Sequence, residues 1–89
     1  MTKIICFINL FTSNARVYSF NEEINNQTFI CEIPVEKLSE GLASVSSTNN
    51  INTITLIGAP MFAKEIVPEI IEYAKTNFNN NDLIVEVME

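Results

Sequence analysis

Few residues in this chain have side chains that could act as an acid, a base or a nucleophile. The sequence contains no histidine, so the commonest general base is missing, and nucleophilic catalysis by a Ser/His or Cys/His pair is excluded in those forms. The two cysteines, Cys6 and Cys31, lie inside apolar, strand-like runs, and we expect them to be buried as small hydrophobic residues. Without histidine they cannot complete a zinc site, so we predict no metal and no cofactor.

The turn Gly58-Ala59-Pro60 is a second candidate for chemistry, because it joins the apolar run Thr53 to Ile57 to a helical pattern. An anion can meet free backbone N–H groups where a strand leads into a helix. The turn nevertheless lacks the glycine-rich sequence and the lysine of a phosphate-binding loop. We therefore interpret it as a structural turn, and a small-ligand or enzymatic site there is a third class of function.

An acidic stripe, Glu65, Glu69 and Glu72, recurs at i, i+4 and i+7 of the same helical pattern. A solvated helix face is the ordinary explanation, and a surface that blocks a basic site on another protein is the alternative. The chain has 5 basic and 11 acidic residues and a net charge of −6. The basic residues are scattered, so we expect no direct binding to nucleic acid.

The elements that position these residues follow from hydrophobic periodicity and turn residues. Lys3 to Phe11 is apolar at nearly every position, as in a central strand that is buried on both faces. The next two runs, Ala15 to Asn21 and Thr28 to Ile33, predict two more strands, and in the latter Phe29 alternates in phase with Cys31 and Ile33. The three strands form an antiparallel meander.

The second half of the chain alternates helices with strands. A helix is predicted from the helical spacing of Val35, Leu38, Leu42 and Val45, and a polar loop over Ser46 to Asn52 follows it. Thr53 to Ile57 is the fourth strand, Pro60 to Phe78 the second helix and Leu83 to Met88 the fifth strand. Pro34 and Pro60 suit the first turns of the two helices.

The resulting order is βββαβαβ, which predicts one α/β domain over residues 1–89 with a five-stranded mixed sheet. Strand-helix-strand units require parallel pairing with right-handed crossovers. The fully apolar first strand belongs in the middle, so the predicted sheet order is 3-2-1-4-5, with both helices on one face.

This order of elements resembles the ribonuclease H-like fold, and Phe7 to Phe20, FINLFTSNARVYSF, is similar to the first phosphate-binding hairpin of the actin-like ATPases. The resemblance implies that Asn9 replaces an aspartate and Phe11 a glycine. A neutral Asn9 cannot help to hold catalytic metals, and the Phe11 side chain blocks the approach of backbone to phosphate. We therefore expect a degenerate, non-catalytic member of this superfamily and not an enzyme.

An apolar sheet face without helices is the remaining candidate for function. The chain is 47% hydrophobic and 18% charged, which leaves little polar material to cover a small domain. Both alternating sets of the first strand are largely apolar, so whichever faces away from the helices is exposed. The predicted interface comprises Ile5, Phe7, Asn9, Phe11, Arg16, Tyr18 and Phe20.

Two classes of function follow from that face and from the acidic stripe. The first is a protein-interaction or assembly module whose partner is a second copy of the chain or another protein. The alternative is a small acidic inhibitor or adaptor, such as one from a mobile element, that blocks a basic site on a host protein. The N-terminal apolar run is too short for a membrane span and lacks a signal-peptide cleavage site, so we expect a cytoplasmic protein without a membrane partner.

Overall fold

A five-stranded mixed sheet is the centre of the computed structural model, which describes residues 1–89. The strands are β1 (Thr2–Asn9), β2 (Asn14–Asn21), β3 (Asn26–Pro34), β4 (Thr53–Ile57) and β5 (Ile84–Met88). Their order in the sheet is β3-β2-β1-β4-β5, as predicted. β1 pairs antiparallel with β2 and parallel with β4, while β2–β3 is antiparallel and β4–β5 parallel. The two halves of the chain therefore meet at β1.

Both helices lie on one face of this sheet. A 3-10 turn (Val35–Lys37) leads into α1 (Leu38–Asn49), and α2 is Pro60–Phe78. The buried residues of β1 alternate as Ile4, Cys6 and Ile8, and they join one core cluster with Leu42 of α1 and Ile70 of α2. The predicted placement of the helices on one face is confirmed, and the opposite face of every strand remains without a covering layer.

Each of the two glycines allows two parts of the chain to approach each other closely. A Cβ on Gly41 would lie 2.8 Å from Cδ1 of Ile33, so the glycine lets α1 approach β3. Gly58 has φ +86°, and a Cβ there would lie 2.7 Å from the carbonyl oxygen of Ile8. The turn after β4 is thus held against the end of β1, which supports the structural interpretation of Gly58-Ala59-Pro60.

The first strand ends earlier than predicted, at Asn9 instead of Phe11. The side-chain oxygen of Asn9 accepts the backbone N–H of Phe11 (2.9 Å) and that of Thr12 (3.3 Å). Such a side-chain-to-backbone turn competes with the strand ladder and reverses the chain. Leu10 and Phe11 consequently lie at the tip of the β1–β2 hairpin.

The predicted loop Ser46 to Asn52 is partly wrong, because α1 continues through Asn49. Ser46 is buried in the helix, and its hydroxyl donates a hydrogen bond to the carbonyl oxygen of Ile51. The buried hydroxyl therefore has a hydrogen-bond partner. Asn50, with φ 54°, adopts the left-handed conformation and ends the helix. The polar composition of this segment predicted a loop, but local hydrogen bonds and burial extend the helix by one turn.

β3 is longer than the predicted Thr28 to Ile33 and ends on Pro34. A proline is compatible with this position because β3 is an edge strand and Pro34 is its last residue, where no ladder N–H is required. β5 begins one residue later than predicted, at Ile84, although Leu83 is buried in the core.

Candidate functional site

The helix-free face has an aromatic half that crosses β1, β2 and β3. The rings of Phe7 and Tyr18 lie 5.7 Å apart at an interplanar angle of 84°, and those of Tyr18 and Phe29 lie 5.5 Å apart at 69°. Phe20 occupies the next position of β2 on the same face. Edge-to-face geometry of this kind stabilises aromatic pairs beyond the area that they bury. We call these four residues the aromatic half.

Arg16 extends this half toward the β1–β2 hairpin without forming an ion pair. Its guanidinium carbon lies 5.0 Å from the ring centroid of Phe29 and 5.9 Å from that of Tyr18. Glu32 lies opposite Arg16 in the β2–β3 register, but the two side chains form no salt bridge. The cation is therefore held over aromatic faces and remains able to pair with an external carboxylate.

The aliphatic half of the face lies on β4 and β5 and has smaller side chains. It consists of Thr53, Thr55, Ile57, Ile84 and Met88, which share the outward phase of their strands. Ile84 is 58% exposed and Met88 is 54% exposed. Apolar side chains such as these, exposed by more than half on one sheet face, are typical of interaction surfaces.

Thr55 is an exception within the aliphatic half, because it is only 4% exposed although no helix covers it. It lies between Ile5 of β1 and Glu86 of β5 in the register. Its hydroxyl oxygen is buried and has no hydrogen-bond partner. Most buried polar side chains in proteins are hydrogen-bonded, so this hydroxyl costs free energy in the folded chain.

The structure separates the predicted interface residues into two groups. Ile5, Phe7, Arg16, Tyr18 and Phe20 share the helix-free face, in agreement with the β1–β2 register. Asn9 uses its side chain in the hairpin turn, and Phe11 lies fully exposed at the hairpin tip, beyond the sheet.

Sequence reasoning missed Phe29 as a residue of this face and predicted that it alternates in phase with Cys31 and Ile33. The β2–β3 register shifts between Val17 and Tyr18, so Cys31 pairs with Val17 whereas Phe29 pairs with Tyr18. Ile30 is the extra residue of this bulge, and it reverses the phase of the strand. Ile57, Ile84 and Met88 were also missed, although the alternation of β4 and β5 carries the signal.

The charges on the helix-free face balance, unlike those on the rest of the surface. Four charged side chains belong to this face: Lys3, Arg16, Glu32 and Glu86. Lys3 is already paired with Glu22 at 3.3 Å. The remaining surface has three basic and nine acidic residues and so holds the whole net charge of −6.

A groove lies at the hairpin end of the sheet, beside the predicted degenerate phosphate hairpin. This groove has a volume of about 750 Å³ and is lined by residues that include Leu10, Phe11, Arg16, Glu32 and Ala59. It contains a single carboxylate, and the structure holds no cluster of three or more His, Cys, Asp or Glu side chains that could bind a metal. The side chain of Asn9 is engaged in the turn, as described above.

The acidic stripe lies on the exposed side of α2, and two of its members already accept hydrogen bonds. Glu69 accepts from the Ser39 hydroxyl of α1 (3.0 Å), and Glu72 accepts from Thr76 one turn later (3.4 Å). Nearby, the Tyr73 hydroxyl donates to Glu40 at 3.0 Å. That hydrogen bond, followed by the negative charge of Glu40, raises the pKa of Tyr73. The hydrogen bonds of Glu69 and Tyr73 connect the two helices, which gives Glu69 of the stripe a structural role.

Both cysteines are free thiols and lie in the helix-covered layer. Burial, and then the neighbouring Cys31, raises the pKa of Cys6 from 9.0 to about 12. Burial also raises the pKa of Cys31. Because the thiolate is the nucleophilic form, neither thiol is activated for catalysis.

Comparisons with known proteins add no family to this description. No family model matches the chain, and no curated protein or solved structure matches it either. Neither helix is long and apolar enough to cross a membrane. The helix-free face, with its exposed apolar side chains and an arginine without an ion pair, is the candidate site that the geometry supports best.

Proposed function

We propose that this chain is a non-catalytic assembly module that associates with a second copy of itself through the helix-free face. The observation that carries the proposal is a largely apolar face, with an aromatic half and an aliphatic half, that no element of the chain covers. We further propose that the chain is a degenerate ribonuclease H-like domain in the cytoplasm. Asn9, used in a turn, and the exposed Phe11 support the loss of that superfamily's chemistry.

The size of the face fits a weak, reversible dimer. Five strands about 4.8 Å apart and about five residues of 3.3 Å along each strand give a projected area of roughly 400 Å². Because protruding side chains add to the projected area, two copies bury on the order of 1,000 Å² in total. This area is at the lower limit of specific interfaces. We therefore expect association in the micromolar range and not a permanent complex.

The distribution of charge favours contact between two copies through the helix-free face over contact through the rest of the surface. Two copies repel each other through the rest of their surface, because it carries the whole net charge of −6. The helix-free face contains two basic and two acidic residues, so face-to-face contact avoids that repulsion. Aromatic residues and an arginine without an ion pair are also the residue types that concentrate in interface centres.

Sedimentation velocity over a range of micromolar concentrations tests the proposal. The wild-type chain should show a concentration-dependent dimer, and Ile84→Glu should remain monomeric because it places a charge in the aliphatic half. The matched control is Ile24→Glu, which makes the same chemical change in the β2–β3 turn, where Ile24 is 68% exposed.

The control variant should dimerise like the wild type. A wild-type chain that stays monomeric at several hundred micromolar would refute the proposal, and so would equal effects of the two substitutions. Circular dichroism of both variants shows whether each keeps the fold.

A further inference from the structure

We infer that the two copies pack with their two-fold axis parallel to β1 and midway between the two sheets, so that Arg16 of each copy pairs with Glu86 of the other. This inference rests on the proposed self-association and specifies its geometry. It identifies the charged residues that determine how two identical faces are oriented.

The sheet order makes the direction of β1 the natural axis. With the order β3-β2-β1-β4-β5, a two-fold rotation about this axis places β2 of one copy over β4 of the other and β3 over β5. The rotation keeps positions along the strands, and Phe29, Tyr18, Ile5, Thr55 and Glu86 form one row across the sheet. Tyr18 of one copy then lies over Thr55 of the other, and Phe29 lies over Glu86.

The shapes of the two halves favour this axis. The aromatic half has large rings, whereas β4 presents Thr53 and Thr55 to the same face. A rotation about the β1 direction places the rings of Tyr18 and Phe20 on the small side chains of Thr55 and Thr53, which allows close packing, while Phe7 of β1 lies near its own copy. An axis across the strands would instead place β2 on β2, with rings against rings and Glu86 near its own copy.

The two charges that this axis brings together have no partners within the chain. Arg16 forms no salt bridge and lies 5.0 Å from the ring centroid of Phe29, the residue that the rotation places over Glu86. Glu86 is exposed and is likewise without an ion pair. Lys3 is already paired with Glu22, so Arg16 is the free cation of the face. The symmetry produces two Arg16–Glu86 contacts in each dimer.

Mixing two charge-reversal variants tests this geometry. Arg16→Glu alone brings two carboxylates together at both symmetric contacts, and Glu86→Arg alone brings two guanidinium groups together there. Each variant should dimerise at least about tenfold more weakly than the wild type. An equimolar mixture should form a heterodimer, because both of its symmetric contacts join opposite charges.

The two contacts of this heterodimer differ from each other. In a heterodimer of the two single variants, the carboxylate introduced at position 16 of one copy faces the guanidinium introduced at position 86 of the other, so that contact regains opposite charges. The second contact joins the native Glu86 of the first copy to the native Arg16 of the second, and it is therefore unchanged from the wild type. Native mass spectrometry distinguishes this heterodimer from the two homodimers by mass.

A mixture that associates no better than either variant alone would overturn the inferred axis. If Ile84→Glu still abolishes dimerisation of the wild type in that case, the proposed function stands and only the orientation is wrong. If the wild type itself is monomeric, the proposed function and the inferred axis both fail. Thermal unfolding of each variant shows that a loss of association is not a loss of fold.

Discussion

The first prediction concerns Thr55 on the helix-free face, whose buried hydroxyl lacks a hydrogen-bond partner. Replacing Thr55 by Val keeps the side-chain shape and removes a buried hydroxyl that has no partner. An unsatisfied buried hydroxyl costs about 1–3 kcal/mol, and a buried methyl group contributes about 0.8 kcal/mol. The lower ends of these two contributions add to about 2 kcal/mol, so we expect Thr55→Val to raise the free energy of unfolding by about 2 kcal/mol and the melting temperature by on the order of 10 °C.

The matched control is Thr53→Val, two residues earlier in β4 and on the same face. Thr53 is half-buried, and its hydroxyl is not among the buried atoms without a partner, so its replacement should change stability by less than about 0.5 kcal/mol. Urea unfolding should be measured at low protein concentration, because dimerisation would add to the apparent stability. A loss of stability in Thr55→Val would refute the reasoning, since it would mean that the hydroxyl makes a favourable hydrogen bond.

Two further predictions concern the cysteine layer and the acidic stripe. Because folding raises the pKa of Cys6 from 9.0 to about 12, its contribution to stability is complete below about pH 9 and is lost as the pH rises toward 12, by roughly 1.4 kcal/mol per pH unit. Urea unfolding at increasing pH should show a steeper loss of stability in the wild type than in Cys6→Ala, which keeps the raised pKa values of Cys31 and Tyr73. Identical slopes in the two proteins would contradict the assigned cause. Reversing Glu65, Glu69 and Glu72 to Lys together should leave dimerisation intact, as measured by sedimentation. If the triple variant became monomeric while still folded, the stripe and not the sheet face would be the interface.

The strand order of this chain was predictable from sequence because hydrophobic periodicity and turn residues agree along most of it. Thr53 to Ile57 is a short apolar run between polar residues and a glycine, and the structure has this strand with the same bounds. The apolar run from Lys3 to Phe11 predicted a central strand that is buried on both faces. The structure places β1 in the middle of the sheet, but helices cover only one of its faces, and Phe7 on the other face is exposed.

The parts that could not be predicted depend on single local contacts. No period-2 pattern can show that Ile30 is an extra residue, so the outward orientation of Phe29 was hidden. The side-chain oxygen of Asn9 decides where β1 ends, and the hydroxyl of Ser46 decides that α1 continues, but both residue types also occur in ordinary loops. The alternation of the first two strands therefore placed most of the predicted interface residues on one sheet face, whereas Phe11 lies beyond the end of that face.

The bulge in β3 also limits how copies of this chain can join edge to edge. An irregular ladder with an extra residue bends and twists the strand, which makes the β3 edge a poor template for another strand. β5 pairs with β4 in unbroken register and is the only regular edge of the sheet. Strand addition is thus limited to the β5 edge, so one sheet can join only one other sheet in this way.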